Sequence, residues 1–326
     1  MTMTDTLHRL LDAEAGFAPD YGGGLANHRP MALHALARLG APDERLQAYA
    51  QAYESRLSPA EAVQPWPPGQ PWADFLGHRE AWPKYRDLFA QWIVHESAGD
   101  LLQQALPRLM LGVGGTAFHG LIRTAHAVAA THRAELVDAL ATWAAGWRPL
   151  GQALPTQPTH TDDPETLLRR LKPVRAAGGF ISHGLRAAAA APGFDRLAAG
   201  LALSADTLPR LARLAGMAYA ASGNFTVLHL VTSSLAMIEL ERYLDPDEPE
   251  RLQAGRAAYW RAFAAAVAAA GIVVRPPLAL RPWPALVAEA IAQDDDHVIK
   301  LVDACVQHAA RDPDGPWQAA ATRALA

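Results

Sequence analysis

Apolar positions recur along most of the chain at the three-to-four-residue spacing of helices, and nowhere convincingly at the alternating spacing of strands. Met31, Leu33, Ala35, Leu36 and Leu39 form one such stripe over Met31–Arg38, with Pro30 suited to the first turn and Gly40 to the stop. The same pattern predicts helices over Asp43–Glu54, 83–94, 97–111, Thr116–Thr131, 133–146, Phe194–Leu203, Thr207–Ala221, Phe225–Tyr243, Glu248–Ala270, Trp283–Gln293 and His297–Ala310. Leu150–Asp163 reads as a Pro/Thr-rich loop, and Pro173–Pro192 as a mixed segment containing Gly178 and Gly179. Ile272–Val274 is the main β-branched run and is ended by Pro276 and Pro277. Residues 57–82 hold Pro59, Pro65, Pro67, Pro68 and Pro71, which no helix tolerates, interleaved with Trp66, Trp72 and Trp82. An ordered arm or lid fits them better than a disordered tail. No repeat of fixed period is present. The expected product is an all-α, single multi-helix domain over 1–326, carrying that Pro/Trp-rich arm.

Composition narrows the function. Half of the 326 residues are hydrophobic and 19% are charged, which supplies a large core. The 29 Lys+Arg against 33 Asp+Glu leave no basic footprint and argue against a nucleic-acid partner. One cysteine, Cys305, excludes an intrachain disulfide and a Cys-based zinc site and reads as a packing residue. No apolar run reaches the ~18 residues of a membrane span, and Met1–Leu11, interrupted by Asp5, lacks a secretory apolar stretch. A cytoplasmic protein acting on a small molecule is the expectation, with oligomeric state open. Gly112-Val113-Gly114-Gly115-Thr116-Ala117 mimics a dinucleotide loop but follows a helix where such a site needs a strand. Phosphate-binding loops and nucleophile elbows are absent.

The 13 histidines are the unusual entry in the composition. His8, His78, His132, His160 and His308 read as surface or packing residues, His34 and His95 are intermediate, and His183 is a weak pocket candidate beside Gly184. Four stretches differ. His28 lies just before a helix start. His119 and His126 are seven residues apart, so both rings leave one helix on the same face. His229 sits among apolar residues mid-helix, where a buried imidazole needs partners for both nitrogens. His297 and Lys300 are neighbours on one face behind Asp294–Asp296, a run that also suits a helix N-cap. Core packing explains each stretch singly. Metal chemistry requires that the separate helices converge, which spacing cannot show.

Taken in order, Asn27-His28 ending in Leu39-Gly40-Ala41, His119-Gly120-Leu121-Ile122, His229-Leu230-Val231-Thr232-Ser233-Ser234-Leu235 and Asp295-Asp296-His297-Val298-Ile299-Lys300-Leu301 resemble the questin oxidase-like family, from Tyr21 to about Leu301. The resemblance implies a helical oxygenase that inserts oxygen into, or cleaves a ring of, an aromatic polyketide such as an anthraquinone. It implies a ligand set of His28, His119, His229, His297 and Lys300 around Fe(II) or another divalent metal, with Lys300 as a CO2-derived carbamate and O2 as co-substrate. An unmodified ammonium offers donors only, whereas a carbamate resembles the carboxylate of a histidine–carboxylate iron site. External NADPH is a candidate reductant. Arg123, where fungal relatives often carry histidine, is the candidate stabiliser of a phenolate or oxyanion, and His126 the candidate base or further ligand. Trp66, Trp72 and Trp82 are candidates to cover a flat substrate, beside plain packing. Two rivals stand against this reading: a zinc-dependent hydrolase on the same histidines, and a non-catalytic helical ligand-binding protein.

Overall fold

Asp43–Glu54 is one of the few predicted helices whose two ends are both met by a computed structural model of the chain, which describes residues 3–151, 163–175, 179–244 and 248–326. Along the chain the helices are α1 (Met3–Asp12), α2 (Arg29–Arg38), α3 (Asp43–Glu54), α4 (Trp82–His95), α5 (Ala98–Leu109), α6 (His119–Ala129), α7 (Arg133–Ala145), α8 (Pro164–Leu168), α9 (Ile181–Ala189), α10 (Phe194–Ala198), α11 (Thr207–Ser222), α12 (Phe225–Leu240), α13 (Pro249–Ala269), α14 (Trp283–Ala292), α15 (Asp296–Arg311) and α16 (Trp317–Ala324). The all-α architecture is thus observed.

Two end helices, the short internal helix α8, the helix α9 inside the segment read as mixed, and a hairpin were not expected. α1 buries Leu7 and Leu11 on one face, and α16 buries Trp317, Ala320 and Ala321 against α11 and α15. The stripe of α1 is short, Leu7, Leu10 and Leu11, and that of α16 is mostly alanine, which stands out little in an Ala-rich chain. Strands Asp20–Tyr21 and Leu25–Ala26 pair antiparallel through Gly22, Gly23 and Gly24, whose φ values are all positive. Only glycine adopts such a run of conformations without cost. Most of the predicted Leu150–Asp163 loop, with His160, and Gly178 lie outside the described residues. Ile272–Val274 joins no strand and lies exposed in an extended connection from α13 to α14.

The arm divides its tryptophans. Trp66 packs on Phe75 and Tyr85, and Trp72 on Phe89 and Trp92. Trp82, buried at the start of α4, lines the cavity described below.

Four helices set the site. α2 packs on α6, α6 on α12, α12 on α15 and α15 on α2, closing a ring. α12 is buried on nearly every side, as its continuous apolar sequence demands. Gly120 lets α6 close on α7: a Cβ there would lie 2.4 Å from Trp143 Cγ. Gly120→Ala is therefore expected to cost about 1–3 kcal/mol by overpacking. Urea denaturation measures the loss, and an unchanged midpoint would mean that Trp143 swings aside.

Candidate metal centre

His28 is the residue before α2, His119 opens α6, His229 is one turn into α12, and Asp296, His297 and Lys300 occupy the first two turns of α15. Because the four helices close a ring with these ends together, the side chains meet. His28 Nε2 lies 2.9 Å from His119 Nε2. The His28 ring centroid is 4.7 Å from that of His297, and the His229 centroid is 5.2 Å from His119 and 5.4 Å from His297. Donor atoms of His28, Asp296 and His297 lie within 4.8 Å of one another.

Two non-glycine residues, Ala117 and Phe118, hold left-handed φ values of 52° and 66° immediately before His119. Such a turn costs about 1–2 kcal/mol per residue and is held here by the burial of Phe118. It aims the first ring of α6 into the cluster.

Asp296 organises the group. Its Oδ1 contacts His28 Nδ1 at 2.6 Å, His297 Nδ1 at 2.9 Å and Lys300 Nζ at 3.4 Å, and its Oδ2 accepts from Tyr53 Oη at 3.4 Å. Burial opposes its ionisation, but Lys300 and the imidazole hydrogen bonds hold the carboxyl well below the usual range. The aspartate run therefore splits by role. Asp294 pairs with Arg45, Asp295 caps α15 by accepting from the backbone N–H of His297 and Val298, and Asp296 turns inward. Sequence reading took the run only as a cap. The one available signal for Asp296 was its i,i+4 relation to Lys300.

Electrostatics keep the rings ready to ligate. Burial, then the charge of Lys300, lowers His28 to about 3. Burial also drives His119 and His229 well below their ordinary value. Neutral imidazole is the metal-binding form. Asp296 engages Nδ1 of His28 and of His297, and the Phe225 carbonyl engages Nδ1 of His229 at 2.9 Å, so Nε2 of all three is left for a ligand. A ligating histidine commonly has its other nitrogen held in this way. Two nitrogens at about 2.1 Å from one ion and at right angles would be roughly 3 Å apart, the separation between His28 and His119. The histidines fit a divalent metal. Lys300 as an amine does not: it is buried, its pKa is lowered by desolvation against the pull of Asp296, and it offers donors only.

The two remaining candidates are placed elsewhere. Arg123 makes a buried bidentate pair with Glu135, at 2.6 and 2.9 Å, and also donates to Thr142. Burial works against its charge, but the Glu135 carboxylate raises its pKa. It does not line the cavity. His126 Nδ1 lies 2.8 Å from His34 Nδ1. The seven-residue spacing does turn His119 and His126 to the same neighbour, α2, but seven residues of helix are about 10 Å, too far for one ion. So α2 and α6 stack two histidine pairs, His28–His119 and His34–His126, at successive levels. His183 contacts Phe180 rather than the cluster.

Buried histidines carry a pH cost. Burial lowers His34 to about 3 and His308 to about 4, against an ordinary 6.5. Between 6.5 and those values the unfolded chain binds more protons than the folded one, so stability is lost as pH falls through that window, by up to about 1.4 kcal/mol per pH unit for each ring. Thermal unfolding midpoints should fall between about pH 7 and about pH 5, and His34→Gln should flatten part of the fall. A flat profile in the wild type would mean that these rings are protonated in the fold.

A cavity of about 740 Å³ opens onto the cluster. His28, His119, His229, Asp296 and His297 form one end, and Trp82, Phe180, Ile181, Phe225 and Leu25 give it flat apolar walls. The glycine hairpin faces α9 across it, with Phe180 Cζ 3.8 Å from where a Cβ on Gly24 would lie. This volume and wall chemistry suit an aromatic ligand of several rings. No described helix is long and apolar enough to cross a membrane.

The family model for questin oxidase-like proteins matches residues 25–180, which include His28, His119 and the hairpin strand Leu25–Ala26. The match supports the family resemblance; His229, Asp296, His297 and Lys300 lie beyond it. No curated protein matches the chain.

Proposed function

We propose, from the questin oxidase-like match and the geometry it accompanies, that this protein is an oxidoreductase: a non-haem iron oxygenase that inserts oxygen into, or cleaves a ring of, an aromatic polyketide or anthraquinone-like substrate. The observation that carries the reading is the meeting of four imidazoles from four helices in the lining of an aromatic-walled cavity. His28, His119, His229 and His297 would hold Fe(II), with Lys300 as carbamate the anionic oxygen donor. Bound iron would supply one-electron chemistry with O2, which zinc on the same atoms lacks.

The chain's own residues prepare that chemistry. Asp296 fixes the Nδ1–H tautomer of His28 and His297, and the Phe225 carbonyl fixes that of His229. The Phe225 ring lies 5.0 Å from His229 and 4.7 Å from His297, so it shields both imidazoles and offers the substrate a flat wall. Phe180 stands just before α9 and Ile181 opens it, and Trp82 opens α4, so the walls rest on helix ends. External NADPH is the reductant if the reaction draws electrons.

Elemental analysis of protein purified without chelator or a metal-affinity tag tests the reading. The wild type should hold about one iron per chain and His229→Ala should lose it, with substrate-dependent O2 uptake lost in parallel. Bound zinc with full activity under anaerobic conditions would identify the hydrolase instead. A metal-free wild type that binds aromatic ligands would identify the non-catalytic alternative.

A further inference from the structure

The cavity that meets the histidines is also lined by four arginines: Arg56, Arg79, Arg148 and Arg186. Their charges are not equally committed. Arg79 pairs with Asp20. Arg56 donates to the Tyr21 hydroxyl at 3.0 Å and lies over the rings of Tyr21 and Tyr53; it makes no ion pair among the described residues, although the Asp296 carboxylate acts on it from a distance. Arg148 donates to the carbonyls of Gly77 and Trp147 and makes no ion pair among the described residues. Arg186, exposed on α9, has no hydrogen-bond or ion-pair partner among the described residues. The lining carboxylates are already engaged: Asp20 by Arg79, Asp294 by Arg45, Asp295 by the α15 N-terminus, and Asp296 by Lys300 and two imidazoles.

Among the described residues, three guanidinium groups that make no ion pair therefore line a cavity whose walls are aromatic, and of these Arg186 makes no hydrogen bond either. Guanidinium groups not held in an ion pair, beside apolar aromatic walls, suit a ligand that is both aromatic and anionic. We infer that the substrate is an aromatic carboxylate, and that Arg186 is the specificity-determining residue that holds its carboxylate while the ring system lies between Phe180 and Phe225. This rests on the aromatic-substrate reading above and adds the charged group. A carboxylate matches the planar guanidinium fork with two parallel hydrogen bonds. A phenol offers one oxygen and, with an ordinary pKa near 10, stays neutral at neutral pH. Arg186 also takes the anion-recognition role that Arg123, locked to Glu135, is not placed to perform.

Three probes on one ring system test this on the metal-loaded protein as purified: 2-naphthoate, its isosteric neutral amide 2-naphthamide, and the smaller 2-naphthol, each titrated against tryptophan fluorescence. The wild type should bind the carboxylate about tenfold more tightly than the amide or the naphthol, the size of one charge-assisted contact. In Arg186→Gln the ratio should fall to within about twofold, with metal content unchanged. The Arg186 side chain is exposed and makes no hydrogen bond or ion pair among the described residues, so this variant should fold. His229→Ala, depleted of metal, should keep the tenfold ratio. Equal binding of the three probes by the wild type overturns the inference, as does a ratio that survives Arg186→Gln. A ratio lost in His229→Ala but kept in Arg186→Gln places the anion on the metal and also overturns it. Failure of the oxygenase reading shows separately, as a wild type without iron, because the probe ratio is measured by binding alone.

Discussion

Asp296→Asn is expected to lower metal affinity about 10–100-fold and to destabilise the metal-free protein by about 3–5 kcal/mol. The two effects have separate causes. An asparagine oxygen can still accept from His28 or His297, but it carries no charge and cannot hold both rings in the Nδ1–H tautomer as a shared carboxylate oxygen does at 2.6 and 2.9 Å. The loss of affinity follows from rings that are free to turn. The loss of stability follows from Lys300, which is 4% exposed and has Asp296 as its ion-pair partner at 3.4 Å. Without that carboxylate, a buried ammonium is unpaired. Metal titration of the chelator-stripped protein reads the first effect and urea denaturation of the same sample the second. Metal affinity equal to that of the wild type would mean that Asp296 does not orient the ligands. In the loaded protein the variant's stability loss also includes its weaker metal binding, so the two samples are compared at one stated metal concentration.

Arg123→Ala is expected to cost about 3–5 kcal/mol of stability while leaving metal content intact. Its guanidinium and the Glu135 carboxylate are both buried and joined by two short hydrogen bonds, so truncating one strands the other in a low-dielectric interior. Arg123→Met together with Glu135→Met should recover much of the loss, since a well-packed apolar pair avoids desolvating charge. Chemical denaturation of the two single variants and the double variant measures this coupling. A variant of unchanged stability that has lost turnover would put the guanidinium back among the substrate contacts. The same reasoning assigns His126 to the pair it forms with His34, so His126→Ala should leave metal binding in place.

Much of the architecture was legible in the chain itself. The helical spacing of its apolar positions fixed the all-α class, because a repeat near 3.6 residues can bury one face only as a helix. His28, His119, His229 and His297 stood out by their settings, since a histidine at a helix start or in an apolar run needs partners that local structure does not supply, whereas their joining with Lys300 into one ligand set came from the family resemblance. What spacing could not decide was distance between helices. His119 and His126 have the same facing on α6, yet only the first reaches the cluster, because the contact of α6 with α2 puts the second one level further along. Asp296 looks like its neighbours in sequence, and only the angle at which α15 enters the ring turns its carboxylate inward while Asp295 caps and Asp294 faces Arg45. Arg123 was chemically suited to bind an anion, but Glu135, twelve residues away across the α6–α7 packing, already neutralises it. Residue type and periodicity determine which groups a helix carries and to which side. The packing of one helix against another determines which of those groups share a cavity, because it sets contacts between residues far apart in the chain.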